Sequence, residues 1–202
     1  LQTNCTGATD PFAGALPTPT VGACTVNGAN YSGVQTLSPR VYCGTFNFNG
    51  TGTLNLNPGL YIFNNTRWNI NSGWSVQETG GGGVTFYFTN ANSYIQINSG
   101  AAINITAPTI GTYADILIFE PSGLSTSSFS INGAAGHVFK GLIYLPSRNI
   151  TFNSVSTVAS EYLTIVVNTL ILDNVNWNIK SSNKQINAPG GATTQTVLRY
   201  LK

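Results

Sequence analysis

The sequence has little charge. Lys, Arg, Asp and Glu make up 7% of its 202 residues, against about 25% in a typical soluble domain. The formal net charge is +2 and no cluster of Lys or Arg is present. That speaks against a phosphate-backbone partner, so no nucleic acid is expected. No run of about 20 apolar residues occurs, so no helical membrane span is expected. No basic segment followed by an apolar run opens the chain. Met is absent, which fits a processed or excised extracellular segment. The single His137 cannot build a zinc site alone and reads as a turn residue with a local hydrogen bond. Gly80–Gly83 lacks the following Lys of a phosphate loop and reads as a turn or a close approach of two backbones. No metal or other cofactor is expected.

Three cysteines, Cys5, Cys24 and Cys43, lie in the first quarter of the chain. Their odd number leaves one without a partner inside the chain, and their spacing suits neither a zinc ribbon nor a redox pair. No His lies close to any of them in sequence, so none reads as a nucleophile. Asn, Thr, Ser and Gly supply the polarity that charge does not, which suits an extracellular or cell-surface location.

What the chain does have is alternation. Gly44–Gly59 reads GTFNFNGTGTLNLNPG, with Phe and Leu on one parity and Thr and Asn on the other within each run, the mark of short half-buried strands. Similar pieces follow at Tyr61–Phe63, Trp68–Ile70, Val84–Thr89, Tyr94–Ile97, Ala102–Ile105, Asp115–Phe119, Phe129–Ile131, Gly141–Leu145, Asn149–Phe152, Leu163–Leu172 and Trp177–Ile179. No segment shows a helical period over ten residues. A loose repeat ends each strand in Asn-Gly, Asn-Ser or a close variant: FNFNG, WNINSG, IQINSG, FSING, ITFNS and WNIKSS. This spacing predicts an all-β, single-stranded parallel β-helix, a solenoid of about six short rungs with inward side chains in columns. The rival is an antiparallel β-sandwich, which also uses short strands and Gly-rich turns. Residues 1–39, punctuated by Pro and Gly, read as an irregular lead-in, and residues 40–202 as the β-helix domain. An uncovered terminal rung is an open sheet edge, so self-association is a further expectation, with Thr196–Leu198 and Tyr200 as capping or pairing candidates.

The segment Asp10–Phe63, and after it Gly81–Thr89, Ile97–Phe119 and Phe139–Ser154, resembles a region of bacterial Flp, or tight-adherence, pilus-assembly proteins of the TadE/G-like group. The shared features are an Asp-Pro start, a Cys, a Leu-Ser-Pro-x-Val-Tyr-Cys-Gly motif, a Gly-rich turn and a Leu-Asn-Pro-Gly-hydrophobic motif. The likeness spans roughly residues 10 to 180. It implies an extracytoplasmic β-rich segment of an envelope protein with a structural or adhesive role, no established chemistry, and envelope or pilus proteins as partners; surface glycans are a further partner expectation, from the aromatic residues considered below. Cys24 and Cys43 occupy the two Cys positions of that motif, which implies a disulfide between them that ties the lead-in to the first rung. The sequence departs from the pattern at Arg40, where the group usually has Gly, so the turn there should avoid the left-handed conformation. It also has no Cys after Cys43, where the group often has one.

The alternative function is a carbohydrate-binding or polysaccharide-degrading β-helix protein. Degradation needs clustered carboxylates. Asp115 and Glu120 lie about 16 Å apart along an extended strand, too far to pair directly. They read as strand-end groups that face water or pair with Lys140 or Arg148, although either could meet Lys140 or Glu161 from a neighbouring rung. Trp68, Trp74 and Trp177 are the candidates for ligand or partner contact, since flat sugar rings stack on such surfaces. The bland reading has them filling the core or covering an end of the stack. Sequons at Asn4, Asn30, Asn49, Asn64, Asn104 and Asn149 permit glycosylation where the side chain faces outward.

Overall fold

The computed structural model describes residue 10 and residues 12–132, 136–153, 157–160 and 162–179. Among the described residues thirteen strands follow one another: β1 (Val26–Leu37), β2 (Val41–Leu56), β3 (Gly59–Ile70), β4 (Trp74–Glu78), β5 (Val84–Phe88), β6 (Tyr94–Ile97), β7 (Ala102–Thr106), β8 (Ile116–Phe119), β9 (Ser127–Asn132), β10 (Val138–Asn153), β11 (Thr157–Ser160), β12 (Leu163–Leu172) and β13 (Asn176–Ile179). Every pairing between them is parallel.

Both fold expectations are corrected. Strands β2, β4, β7, β10, β8, β5 and β3 pair in that order, and the additional β2–β3 pairing closes the ring. The sheet is therefore a closed seven-strand parallel β-barrel, not a solenoid β-helix of short rungs. The antiparallel sandwich is excluded by the parallel register throughout. The cause lies in strand length. β2 and β10 each run for 16 residues where the sequence suggested breaks. Gly50 adopts φ +66 but the strand continues through it. The first half of β2 therefore pairs with β3 and the second half with β4. β10 likewise pairs with β7, β8 and β9 along its length. Pro146 falls where its register against β12 shifts, between Leu145 and Asn149, at a site where a missing ladder N–H is tolerated. The lead-in is also shorter than expected, since β1 occupies Val26–Leu37 and pairs with β2.

Parallel register stacks like on like. Tyr31, Phe48, Ile70, Ile97, Ile131, Phe152 and Leu172 are successive Cα partners. So are Tyr61, Phe86, Ile118, Ile143 and Ile165. Apart from Leu172, which is exposed, these columns build the main core, in which Trp68, Phe46, Phe63 and Phe86 are buried together. Ring centroids of Phe63 and Trp68 lie 4.7 Å apart, and such ring pairs add to what burial alone contributes. Two close approaches require glycine. A Cβ on Gly52 would lie 2.2 Å from the Gly33 carbonyl oxygen, and one on Gly83, at φ +77, would lie 2.4 Å from the Pro108 nitrogen. The second confirms Gly80–Gly83 as a point of backbone contact. Asn65, Asp115 and Asn174 are the described non-glycine residues with positive φ, and Arg40 is not among them.

Candidate functional site

The parity that leaves aromatics inside puts another column on the opposite side of the sheet. Val41, Ile62, Tyr87, Phe119, Tyr144 and Val166 are successive partners, and Phe12 and Leu16 pack against them. This places the N-terminal segment as a strap over an apolar outer stripe. Two fastenings hold it. The Cys24–Cys43 disulfide, with Cα atoms 5.8 Å apart, joins the strap to β2. Tyr144 donates its hydroxyl proton to Asp10 Oδ2 at 2.6 Å, and Asp10 Oδ1 accepts from the Phe12 amide at 2.9 Å. Between strap and sheet lies a cleft of about 100 Å³, lined among others by Phe12, Leu16, Tyr87, Phe119, Glu120 and Tyr144. Burial raises the Tyr144 phenol above its ordinary value, and the hydrogen bond to Asp10 and its negative charge add to this.

Behind the cleft is a buried ion pair. Arg148 Nε donates to Glu120 Oε2 at 2.6 Å, and both side chains are almost wholly excluded from water. The Ser147 amide donates to Glu120 Oε1 at 2.9 Å. Arg148 Nη1 reaches the Ala91 carbonyl and Ser127 Oγ, and Nη2 reaches the carbonyls of Asn90 and Ser93. All five guanidinium donors are thus used, which is the condition under which a buried charge is tolerated. Burial raises the Glu120 carboxyl above its ordinary value, while the Arg148 charge and hydrogen bond and the Ser147 amide oppose the rise. The pair fastens the 90–93 turn and the start of β9 to β10. Of the two cations named as partners for Glu120, Arg148 is the one in contact. Facing water does not describe Glu120 or Asp115, which are each 1% exposed. Asp115 takes φ +63 and its backbone bridges Pro108 and Leu142. Neither Asp115 nor Lys140 is without a partner.

A third feature is a set of side-chain amide ladders. Asn47 Nδ2 donates to Asn30 Oδ1 at 2.9 Å and Asn69 Nδ2 to Asn47 Oδ1 at 2.7 Å. One turn onward, Asn71 donates to Asn49 and Asn98 to Asn71, at 2.9 and 2.7 Å. Gln77 donates to Asn55 at 2.9 Å on the β2–β4 side. Arg67 lies with its guanidinium carbon 5.5 Å from the centre of the Tyr94 ring and donates Nε to Asn69 Oδ1 at 2.9 Å. The ladders went unnoticed in the sequence, although the Asn that closes successive repeats was their visible trace.

The tryptophans lie elsewhere. Trp68 and Trp74 are each 1% exposed and show no ring face to solvent. Trp74 Nε1 donates to the Asn49 carbonyl at 3.2 Å, whereas Trp68 Nε1 is buried without a partner beside an apolar cavity of about 30 Å³. Trp177 is half-buried, its ring edge-on to Phe152 at 4.8 Å. His137 is fully buried and neither ring nitrogen has a well-aligned hydrogen-bond partner among the described residues. Burial holds it below its ordinary value, and the Asn132 backbone offsets this only in part. Of the sequons, Asn30, Asn49 and Asn104 are exposed, and Asn64 and Asn149 half-buried. Cys5, Asn4, Glu161, Thr196–Leu198 and Tyr200 lie outside the described residues. Among the described residues no three His, Cys, Asp or Glu side chains gather as metal ligands, and no helix is long and apolar enough to cross a membrane.

No family model, curated protein or solved structure matches this chain.

Proposed function

We propose that this chain is a non-enzymatic extracytoplasmic module, structural or adhesive, of an envelope or pilus-assembly protein of the tight-adherence kind. The observation that carries the reading is the fate of its ionisable groups. Both oxygens of Glu120 are occupied by Arg148 and Ser147, and Asp10 is committed to Tyr144 and the strap. Carboxylates used in this way hold segments together and are not free for general acid or base work. The disulfide fits an oxidising compartment. The strapped, ring-packed barrel suits a rigid part that presents a face to something else.

The test is to couple the purified protein to inert beads and measure their attachment to host-cell and abiotic surfaces against uncoated beads. Increased attachment, with no release of reducing ends or unsaturated products from uronate polymers, is the expected result. Product release that disappears in Glu120→Gln or Asp115→Asn while the fold persists would replace the module with an enzyme.

A further inference from the structure

The outer face of β1, β2, β3 and β6 has a composition and a spacing that point to a ligand. Arg67 is the only charged residue on these four strands. Asn30, Asn47, Asn69 and Gln96 are successive register partners across them, with Thr45, Arg67 and Tyr94 in the next row. These side chains are exposed or half-buried. An Asn amide carries two N–H donors and an oxygen with two lone pairs. In the ladder Asn47 gives one donor to Asn30 and receives one from Asn69. One N–H and one lone pair remain outside these two bonds. Asn69 accepts from Arg67 in place of a further amide, and Gln96 is held by a bond from Nε2 to the Ser130 carbonyl at 2.7 Å; parallel pairing spaces the four amides at the inter-strand distance of about 4.8 Å, comparable with the length of one pyranose unit in an extended chain.

From this we infer that the amide-ladder face binds an extended, uncharged polysaccharide running across the strands, with one sugar unit per strand. The ladder fixes Asn30, Asn47 and Asn69 and the Ser130 carbonyl fixes Gln96 before binding, so little side-chain entropy is lost on contact. Arg67, held by the Tyr94 ring and by Asn69, adds fixed donors at the edge of the row. One cation over four strands cannot neutralise a polyanion, so acidic polymers are not the preferred ligand. The face also lacks the buried aromatic or aliphatic anchor that a protein partner needs. The tryptophans named from sequence are not required.

The inference rests on the adhesive-module reading and identifies its target. It is tested by retention of the whole chain on insoluble cellulose and chitin and by affinity electrophoresis in soluble neutral β-glucan. Wild type, the Asn47→Ala/Asn69→Ala double variant, and Asn55→Ala/Gln77→Ala as a ladder control on another face are compared, each checked for an unchanged circular dichroism spectrum. The expected result is binding to at least one neutral polymer, weakened at least tenfold in the first variant and unchanged in the control. Absence of binding to every neutral polymer, equal loss in both variants, or binding confined to polygalacturonate or alginate would overturn it. If polysaccharide binding fails while coated beads still attach to surfaces, only the glycan inference falls. If bead attachment fails too, the module reading falls with it.

Discussion

Tyr144 and Asp10 stand 134 positions apart in the chain and share a hydrogen bond of 2.6 Å. The contact fastens the first described residue to the tenth strand, across an outer stripe that includes Tyr87 and Phe119. Together with Cys24–Cys43 it makes the strap part of the folded unit.

Reducing that disulfide is expected to lower stability by about 3 kcal/mol through loss of a closed loop of about 20 residues. Denaturant unfolding of Cys24→Ser/Cys43→Ser against wild type reads the change. A variant of unaltered midpoint would show that the strap is held by its apolar contacts alone.

The ion pair gives a sharper expectation. Arg148→Met leaves the Glu120 carboxylate buried without its cation, and removal of one partner from such a pair costs about 3–5 kcal/mol. Replacing both, in Glu120→Leu/Arg148→Met, should cost less than the single Arg148→Met change. Thermal unfolding of the two single variants and the double variant tests this. Additive losses would mean that the residues do not act as a unit.

Alkaline stability follows from the buried phenols. Burial pushes Tyr42 up to about 12 from an ordinary value of 10.0, with the Arg40 charge opposing it and the neighbouring Tyr31 adding to it. Tyr61 is also raised by burial, with the neighbouring Tyr42 adding to it, and so is Tyr144. The folded state thus holds protons that the unfolded chain releases near 10. Stability is intact below that value and falls as pH rises through the folded pKa values. Ultraviolet titration should show some of the nine tyrosines ionising only as the circular dichroism signal is lost. Reversible ionisation of all of them near pH 10 with the fold intact would contradict the burial.

His137 acts at the other end of the scale. Its folded pKa is depressed by burial from 6.5, so the unfolded state takes up the proton first. The stability linked to the neutral ring is present above about pH 6.5 and declines below it, by up to about 1.4 kcal/mol per pH unit. His137→Phe should flatten that part of the stability–pH curve. An unchanged slope would mean that the ring reaches water when charged.

Gly83 tests the backbone contact. Ala there meets Pro108 and must also hold a positive φ, which by itself costs about 1–3 kcal/mol. Gly83→Ala is expected to lose at least that much, read by thermal unfolding, whereas Gly81→Ala, also at positive φ but with open space around it, should lose only the conformational part. Equal losses would show that Pro108 yields.

Much of this was legible in the sequence, for physical reasons. Alternation assigns Phe46 and Phe48 to one face and Asn47 to the other, because strand side chains alternate whatever the strand pairs with. The resemblance at Cys24 and Cys43 implied the disulfide. Ring closure was not legible, because a glycine such as Gly50 signals a break but does not enforce one. Whether β2 stops there or runs on to a second partner is decided by its neighbours. The partner of Glu120 stayed open between Lys140 and Arg148 because register fixes it. The tryptophans drew attention as surface platforms, yet the same bulk fills the interior where Phe46, Phe63 and Phe86 surround Trp68.

In the rows from Asn30 to Asn69 and from Asn49 to Asn98, every bond runs from an amide N–H to the amide oxygen that precedes it in the chain. Their dipoles therefore add instead of cancelling, and each bond polarises the next. The Asn30 and Asn49 ends of the rows carry the partial positive pole and the Asn69 and Asn98 ends the partial negative one. A surface almost without formal charge thereby has an electrical direction, and a chain molecule laid along it meets a different environment head-first than tail-first.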